Sequence, residues 1–462
     1  MTSRYPNRRT MLALSMACAL ALPLASHAQT DTREQQLEQR VEQLEQQLNE
    51  LKAMLQEQKA AAATQAPAAP VQDVAAAPAA PQTPTFSSAP GVSVALHGMI
   101  SASAFSQNRS FTYGNGQNAL YPAPGSTGSL NGIDVRNTRF WLDFKGARLS
   151  DNWDGGGRIE MDFFGGFNGT GGYSQQQPTP RLRQAYMDLV NAGSGTTVRI
   201  GQQWDLMFPI DSSPTSLAHV AFPLGYGSGI TGWRFPGVVV MQDLNHGSTG
   251  PQWRLDMGVF EGTWNGPGNP LNYLSGGNAG FRPQLEARLH VQDKNWLAYF
   301  ATHYSSVDLR GVDGNAPTPV KSKIKSTEYE LGGQWKPGSW TFRGLAYTGK
   351  GLGQIFGAMS QFGDISETGG FVQAGYSFTP NWSMYAFYAY AKPDADDVVA
   401  WMGNGATGLL RNRQTALSLQ YTSGPYDLGV EWLHDRLDST SNGIDRKTTS
   451  GNQFSLSAMY HF

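Results

Sequence analysis

From Val92 onward, apolar and polar residues alternate in segments of about ten, bounded by Gly, Asn, Ser and Pro clusters. A period of two places successive side chains on opposite faces of a strand. The segments run from "VSVALHGMISASAF" (92–105) and "RNTRFWLDFKG" (136–146) through "SWTFRGLAYTG" (339–349) and "NRQTALSLQYT" (412–422) to "QFSLSAMYHF" (453–462), and number about sixteen. The joins between them alternate in length. Tight ones such as "QDK", "PG" and a single Pro are interleaved with long ones such as "DLRGVDGNAPTPVKSKIKS" and "KPDADDVVAWMGNGATGLL". An even strand count with short turns at one end and long loops at the other predicts an all-β fold. The expected form is a transmembrane antiparallel β-barrel of about sixteen strands. A soluble propeller would need a repeat period, and the sequence has none.

The final segment fits closure. Phe454, Leu456, Ala458, Tyr460 and Phe462 share one apolar phase, broken only by Met459. In a closed barrel this strand pairs with the first and has no free edge. Its apolar phase then faces lipid, with Tyr460 and Phe462 at the periplasmic aromatic girdle. The terminal aromatic also resembles the recognition signal of outer-membrane insertion machinery.

Before Val92 the periodicity differs. Residues 29–59 contain a heptad seam, with Val41, Leu48 and Leu55 at a and Leu37, Leu44 and Leu51 at d, the other faces being Gln and Glu. This predicts a short α-helical coiled coil preceding the barrel. Residues 60–90, rich in Ala and Pro, read as a linker without a core. Residues 1–28 carry Arg4, Arg8 and Arg9, an apolar run, and "SHA" before Gln29, the pattern of a secretory signal peptide. Cys18 lies within that run and reads as incidental to it rather than as a lipid-modified cysteine. The expected domains are therefore 1–28 signal peptide, 29–59 periplasmic coiled coil, 60–90 linker and 91–462 barrel.

Composition narrows the function. Net charge is -2, which does not suit a nucleic-acid binder. The single Cys leaves the mature chain without thiol or disulfide chemistry. No catalytic or metal-ligand spacing appears, so no cofactor, no metal and no enzymatic role is expected.

The chemistry on offer is that of a pore wall. Subtracting the apolar phase of each strand leaves Arg139, Asp143 and Lys145 facing inward, then Arg158, Glu160 and Asp162, then Arg199, then Arg254 and Asp256. Further along, Arg282, Gln284, Glu286, Arg288, His290 and Arg343 take the inward phase. Such arginines either pair with neighbouring carboxylates or form a ladder whose planar forks suit carboxylates and phosphates. Arg181 and Arg183 are ambiguous, because "RLRQAYMDL" is apolar in both phases. Arg411 and Arg413 share the apolar phase and are expected outward, at the level of lipopolysaccharide. Most aromatics also take the outward phase, which disfavours a sugar track.

The long stretch 205–229 is too apolar for an exposed loop, with Phe208, Leu217, Val220, Phe222 and Leu224. It is expected to fold into the lumen as a constriction. Asp205, Asp211 and His219 would then face the arginine wall and set a transverse field.

The order of signal, heptads, Ala/Pro linker and sixteen strands resembles the DcaP-like porins. The segments "RLRQAYMDL", "RIGQQWDLMFP" and the ending "MYHF" resemble them too. The resemblance implies a homotrimer in the bacterial outer membrane with its N-terminal segment in the periplasm. It also implies diffusion of small organic anions such as dicarboxylates. The expected partners are further copies of the chain, lipopolysaccharide and the phospholipid bilayer, and small anionic solutes. A phosphate- or sugar-selective porin is the alternative within the class, and a barrel enzyme the alternative outside it.

Overall fold

The computed structural model describes Gln46 and residues 85–89, 91–112, 114, 116–167, 176–261, 283–308, 321, 323–355, 357, 359 and 361–462. The expected signal peptide, most of the linker, and Arg282 lie outside the described residues. So does the heptad segment apart from Gln46, which is helical.

The strands are β1 (Thr85–Ala89), β2 (Val92–Gln107), β3 (Leu130–Asp134), β4 (Arg139–Ser150), β5 (Trp153–Asp162) and β6 (Arg181–Asn191). They continue with β7 (Thr196–Trp204), β8 (Arg234–Asp243), β9 (Gln252–Phe260), β10 (Gln284–Asp293), β11 (Trp296–Asp308) and β12 (Lys323–Trp335). The last six are β13 (Trp340–Lys350), β14 (Ser366–Ser377), β15 (Trp382–Pro393), β16 (Leu409–Ser423), β17 (Tyr426–Thr440) and β18 (Arg446–His461). From β4 to β18 each strand pairs antiparallel with the next, and β18 returns to pair with β2. The short β3 and the longer β4 pair with successive halves of β2 and together make one stave. The result is a closed antiparallel barrel of sixteen staves, so no long edge is left open.

β1 falls inside residues 60–90, expected to be a linker without a core. β18 ends opposite Met99 and Gly98, leaving the start of β2 unpaired on that side. β1 covers this stretch, with Phe86 opposite Val94, and satisfies backbone groups that would otherwise lack partners.

The two faces of the wall follow the predicted alternation. On β15 to β18, Met384, Leu417, Leu419, Leu428, Val430, Phe454 and Leu456 point outward and are exposed. Their sequence neighbours Ser418, Gln420, Glu431, Gln453 and Ser455 are buried inside. At the short-turn end the outward band is closed by aromatic pairs, Trp382 with Tyr421 at 5.0 Å and Tyr426 with Tyr460 at 5.1 Å. Phe462 lies over Gly98, where a Cβ would come within 2.3 Å of the ring. This apolar band with an aromatic border is the surface a bilayer requires of a spanning barrel.

The connections alternate as expected, with turns as short as residues 151–152, 294–295 and 424–425 at one end and long loops at the other. The β17–β18 connection, residues 441–445, is the exception among the long-loop ends. Among the described residues no helix is long and apolar enough to cross a membrane. One short helix, Ala395–Trp401, sits in the β15–β16 loop, capped by the Asp394 carboxylate.

Candidate functional site

The loop between β7 and β8, residues 205–233, occupies the lumen. Met207, Ala221, Tyr226 and Ile230 are fully buried, and Phe208, Phe222 and Leu224 nearly so. They pack against inward side chains of the wall, among them Tyr299, Leu345, Tyr347, Phe371, Phe387 and Leu433. A loop buried this way must place its backbone polar groups on partners, and the wall supplies them around the circumference. Glu286 accepts the Leu206 N–H at 2.7 Å, and Glu328 accepts the Thr231 hydroxyl at 2.7 Å. The Gln373 amide closes a two-way pair with the Thr215 backbone at 2.8 and 2.9 Å. Gln414 accepts the Gly225 N–H at 2.8 Å. Asn137 bridges Ala218 and Ala221 at 2.9 and 3.0 Å. Gly229, at φ +129°, lies so close to β14 that a Cβ would come within 2.3 Å of the Gly370 carbonyl oxygen.

The three loop residues expected to face the arginine wall are placed differently. Asp205 is fully buried at the neck of the loop, where its two oxygens accept the Phe208 and Trp233 N–H groups, each at 3.0 Å. Burial, and then the nearby Glu286 charge, push its carboxyl well above the usual carboxylate range, against the Trp233, Phe208 and Met207 N–H groups. His219 is also buried and meets Glu431 of β17 at 2.8 Å, while Ser216 donates to the other Glu431 oxygen. Asp211 alone is exposed. Asp205 and His219 thus serve the loop's own folding.

The six arginines expected to line the pore are all inward, and most are neutralised. Arg158 forks onto Asp143 at 2.7 and 2.9 Å, and Arg199 onto Asp188 at 2.7 and 2.8 Å. Arg254 and Arg288 share Asp256. Arg139 stands 3.6 Å from Glu160 and reaches the Val220 carbonyl at 3.5 Å. Arg343 has no carboxylate partner among the described residues. It donates to Gln334 and to Thr215 of the loop, and so helps anchor the constriction. Arg411 and Arg413 lie on the outward face, both close to Asp438.

The densest cationic cluster lies where the sequence was ambiguous or silent. Arg181 and Arg183 both pair with Asp162, and Arg183 also with Glu160. A bulge between Glu160 and Met161 shifts the register of β5 against β6 and turns Arg183 and Gln184 to the same buried region. Arg234, 5% exposed, has no carboxylate partner among the described residues, and its Nη1 is buried without a hydrogen-bond partner. Its guanidinium instead lies 4.2 Å from the Trp233 ring and 4.6 Å from the Trp204 ring. Arg181 contacts the rings of Phe164, Phe222 and Trp233, and Arg136 shares Phe164 with it. Among the described residues, Arg136, Arg139, Arg181, Arg183 and Arg234 thus face three carboxylates, Asp134, Glu160 and Asp162, an excess of two positive charges beside the loop. Arg181 is the most open of the five, at 22% exposure against 1% for Arg183. The aromatic content here also departs from the outward phase expected for most aromatics. It comes from the loop and its flanks, which no strand phase describes.

No family model matches the chain, and no curated protein matches it. Solved structures do. The outer-membrane channel DcaP of Acinetobacter baumannii aligns at a TM-score of 0.63 with 20% identity, covering 82% of this chain and 99% of that one. The anion-selective porin from Comamonas acidovorans aligns at 0.52 with 14% identity, over 80% and 100%. Salmonella typhi OmpF, in complex with daunomycin, aligns at 0.51 with 13% identity, over 80% and 98%. The chain has the closed sixteen-stranded barrel fold of these outer-membrane porins.

Proposed function

We propose that the chain is an outer-membrane diffusion channel for small hydrophilic solutes, biased toward small organic anions such as dicarboxylates. The supporting observation is the uncompensated positive charge of the Arg136, Arg139, Arg181, Arg183 and Arg234 group beside the lumen loop. A dianion passing the loop would exchange part of its water for guanidinium forks. Each charge-assisted bond is worth about 1.5–3 kcal/mol before desolvation is subtracted. Binding of that order slows a solute without trapping it, which conduction requires. The porin from Comamonas acidovorans, of the same fold, is anion-selective. In this reading the channel works as a homotrimer in a lipopolysaccharide-bearing membrane, with the heptad segment as a periplasmic stalk.

The test is planar-bilayer recording of the full chain and of Arg139→Ala/Arg181→Ala. Asp162 keeps Arg183 as a partner in that variant, so the barrel is expected to fold, which heat-modifiable migration on a gel checks. The expected result is a reversal potential shifted away from anion preference, with dicarboxylate block weakened about tenfold or more, the equivalent of one lost bond of about 1.4 kcal/mol. Unchanged reversal potential and block would overturn the assignment. A sugar channel is the second reading, supported by the half-buried rings of Trp204 and Trp233 beside Arg181, Arg183 and Arg234. Block by a neutral sugar and not by a dicarboxylate would select it.

A further inference from the structure

The outward face of β16 and β17 carries a ladder whose chemistry changes row by row. From the short-turn end upward the opposed pairs are Leu419 with Val430, Leu417 with Trp432, Thr415 with His434, and Arg413 with Arg436. Above these, Arg411 is opposed by Asp438, and exposed Lys392, two residues past the Tyr390 that opposes Arg413, continues the same phase on β15. Two features of this face are unusual. Arg413 and Arg436 are like charges set directly opposite each other, which is destabilising unless something neutralises them. Asp438, the acid in these rows, is 2.6 Å from Arg411 and 3.5 Å from Arg413, and no carboxylate among the described residues pairs with Arg436. Below them, Ala104, Met384, Leu417, Leu419, Val430 and Leu456 line a groove of about 650 Å³ on the outer wall, almost wholly apolar. Small Ala104 on β2, between larger residues on neighbouring strands, leaves the space. A rise of about 3.3 Å per residue separates Arg413 from Leu417 by about 13 Å along β16.

We propose that this face binds a phosphorylated, acylated glycolipid of the outer leaflet, with phosphate on the Arg413–Arg436–Arg411 rows and an acyl chain in the groove below. The inference rests on the outer-membrane reading above and adds the site. Height and charge together favour a lipid over a second copy of the chain. The cations stand at the long-loop end, just above the apolar band, where headgroup phosphates lie, and the groove runs down into the hydrocarbon zone. A phosphate supplies the negative charge that the opposed arginines lack, and guanidinium forks match its oxygens.

The experiment uses the full chain refolded in detergent, with phosphorylated lipid A or its dephosphorylated form added, washed, and scored for retained lipid by native mass spectrometry. Three proteins are compared: the wild type, Arg413→Ser/Arg436→Ser, and Ala104→Phe, which fills the groove and leaves the charges. All three sites are outward and partly or fully exposed, and heat-modifiable migration on a gel checks that each barrel is folded. The wild type should retain phosphorylated lipid A at least tenfold better than the dephosphorylated form. The arginine variant should lose that preference, and Ala104→Phe should lower retention of both lipids. Equal retention of the two lipids by the wild type, or undiminished preference in the arginine variant, would overturn the proposal. So would an Ala104→Phe barrel that retains lipid normally but dissociates to monomers, since the groove would then be a contact between copies. Conductance is recorded in parallel. A conducting barrel without lipid preference refutes this site and leaves the channel reading standing, whereas a barrel that does not conduct refutes the reading itself.

Discussion

Strands β4 to β8 and strands β10 to β17 hold the same loop between them but meet it with different chemistry. On the second wall the buried acids Glu286, Glu328, Glu330, Glu367 and Asp435 receive neutral donors: the Leu206 N–H, the Thr231, Tyr299 and Tyr347 hydroxyls, and the Gln414 and Asn412 amides. On the first wall Glu160 and Asp162 receive guanidinium groups, and more guanidinium groups than they can neutralise. The difference separates two uses of a buried carboxylate. Where its donors are neutral, it serves as an acceptor that fixes backbone or packs a wall. Where its donors are arginines in excess, it holds a positive surface in place without cancelling it. The constriction needs both, since a field across the lumen has a fixed geometry only if the loop that shapes it is clamped.

The most damaging way to break this contrast is to remove the acid that holds the first wall together. Asp162 is fully buried and accepts from Arg181, Arg183 and the Phe164 N–H. Asp162→Asn leaves Arg181 without its carboxylate and Arg183 with Glu160 alone, and breaking a buried pair typically costs about 3–5 kcal/mol. The urea midpoint of the refolded barrel should fall accordingly. A loss below about 1 kcal/mol would mean that Glu160 and the aromatic rings hold the arginines without Asp162.

On the opposite wall a comparable deletion should damage the clamp more than the barrel. Glu286→Ala strands the Leu206 N–H and also His303 Nδ1, which lies 2.8 Å from Glu286. Each buried group left unpaired costs about 1–3 kcal/mol. The expected readout is a larger and noisier single-channel conductance as the start of the loop loosens. Wild-type conductance in a folded variant would show that the remaining anchors hold the loop without this one.

The neck of the loop gives a smaller effect with a sign. Asp205 has its carboxyl raised above its ordinary value near 3.8, first by burial and then by Glu286. An acid raised in the folded state contributes stability that is fully present below the unfolded value. That contribution is lost as pH rises through the folded one. Stability should therefore decline with rising pH above about 3.9, by at most about 1.4 kcal/mol per pH unit for one group. Asp205→Asn should flatten that decline in urea midpoints taken across pH. Parallel wild-type and variant curves would assign the proton elsewhere.

Much of this architecture is legible in the chain because its cause is local. A wall residue that sees lipid on one side and polar lumen on the other must alternate, so strand count, loop alternation, the outward phase of Phe454 and Leu456, and the inward phase of Arg158 and Arg199 follow from period two. The loop's entry into the lumen was legible for the same reason, since Phe208, Phe222 and Leu224 need somewhere to be buried. What escaped depends on register and on non-local pairing. The bulge at Arg183 is a backbone event with no residue signature in "RLRQ". Trp204 and Arg234 are thirty residues apart and become neighbours only once β7 and β8 are paired. Polarity in a constriction does not reveal which side chains its own fold consumes: Asp205 accepts the Phe208 and Trp233 N–H groups and His219 meets Glu431.

The finest test of the contrast lies within the first wall, between arginines that are neutralised and arginines that are not. Arg199 and Asp188 form a closed bidentate pair, 26% and 19% exposed, with Arg199 stacked 3.8 Å from the Tyr186 ring. Deleting Arg199 alone would confuse the reading, since it uncovers the Asp188 charge. Arg199→Ala/Asp188→Ala removes both charges and leaves the lumen's net charge as it was. A partly exposed pair is worth about 0–1 kcal/mol of stability, so the barrel should refold nearly as well as the wild type. The reversal potential in a salt gradient should also stay where it was, while Arg139→Ala/Arg181→Ala moves it. If the neutral deletion shifts selectivity as far as the arginine variant does, then selectivity follows local fork geometry rather than uncompensated charge. The excess of two on the Arg136–Arg234 wall would then not be its source.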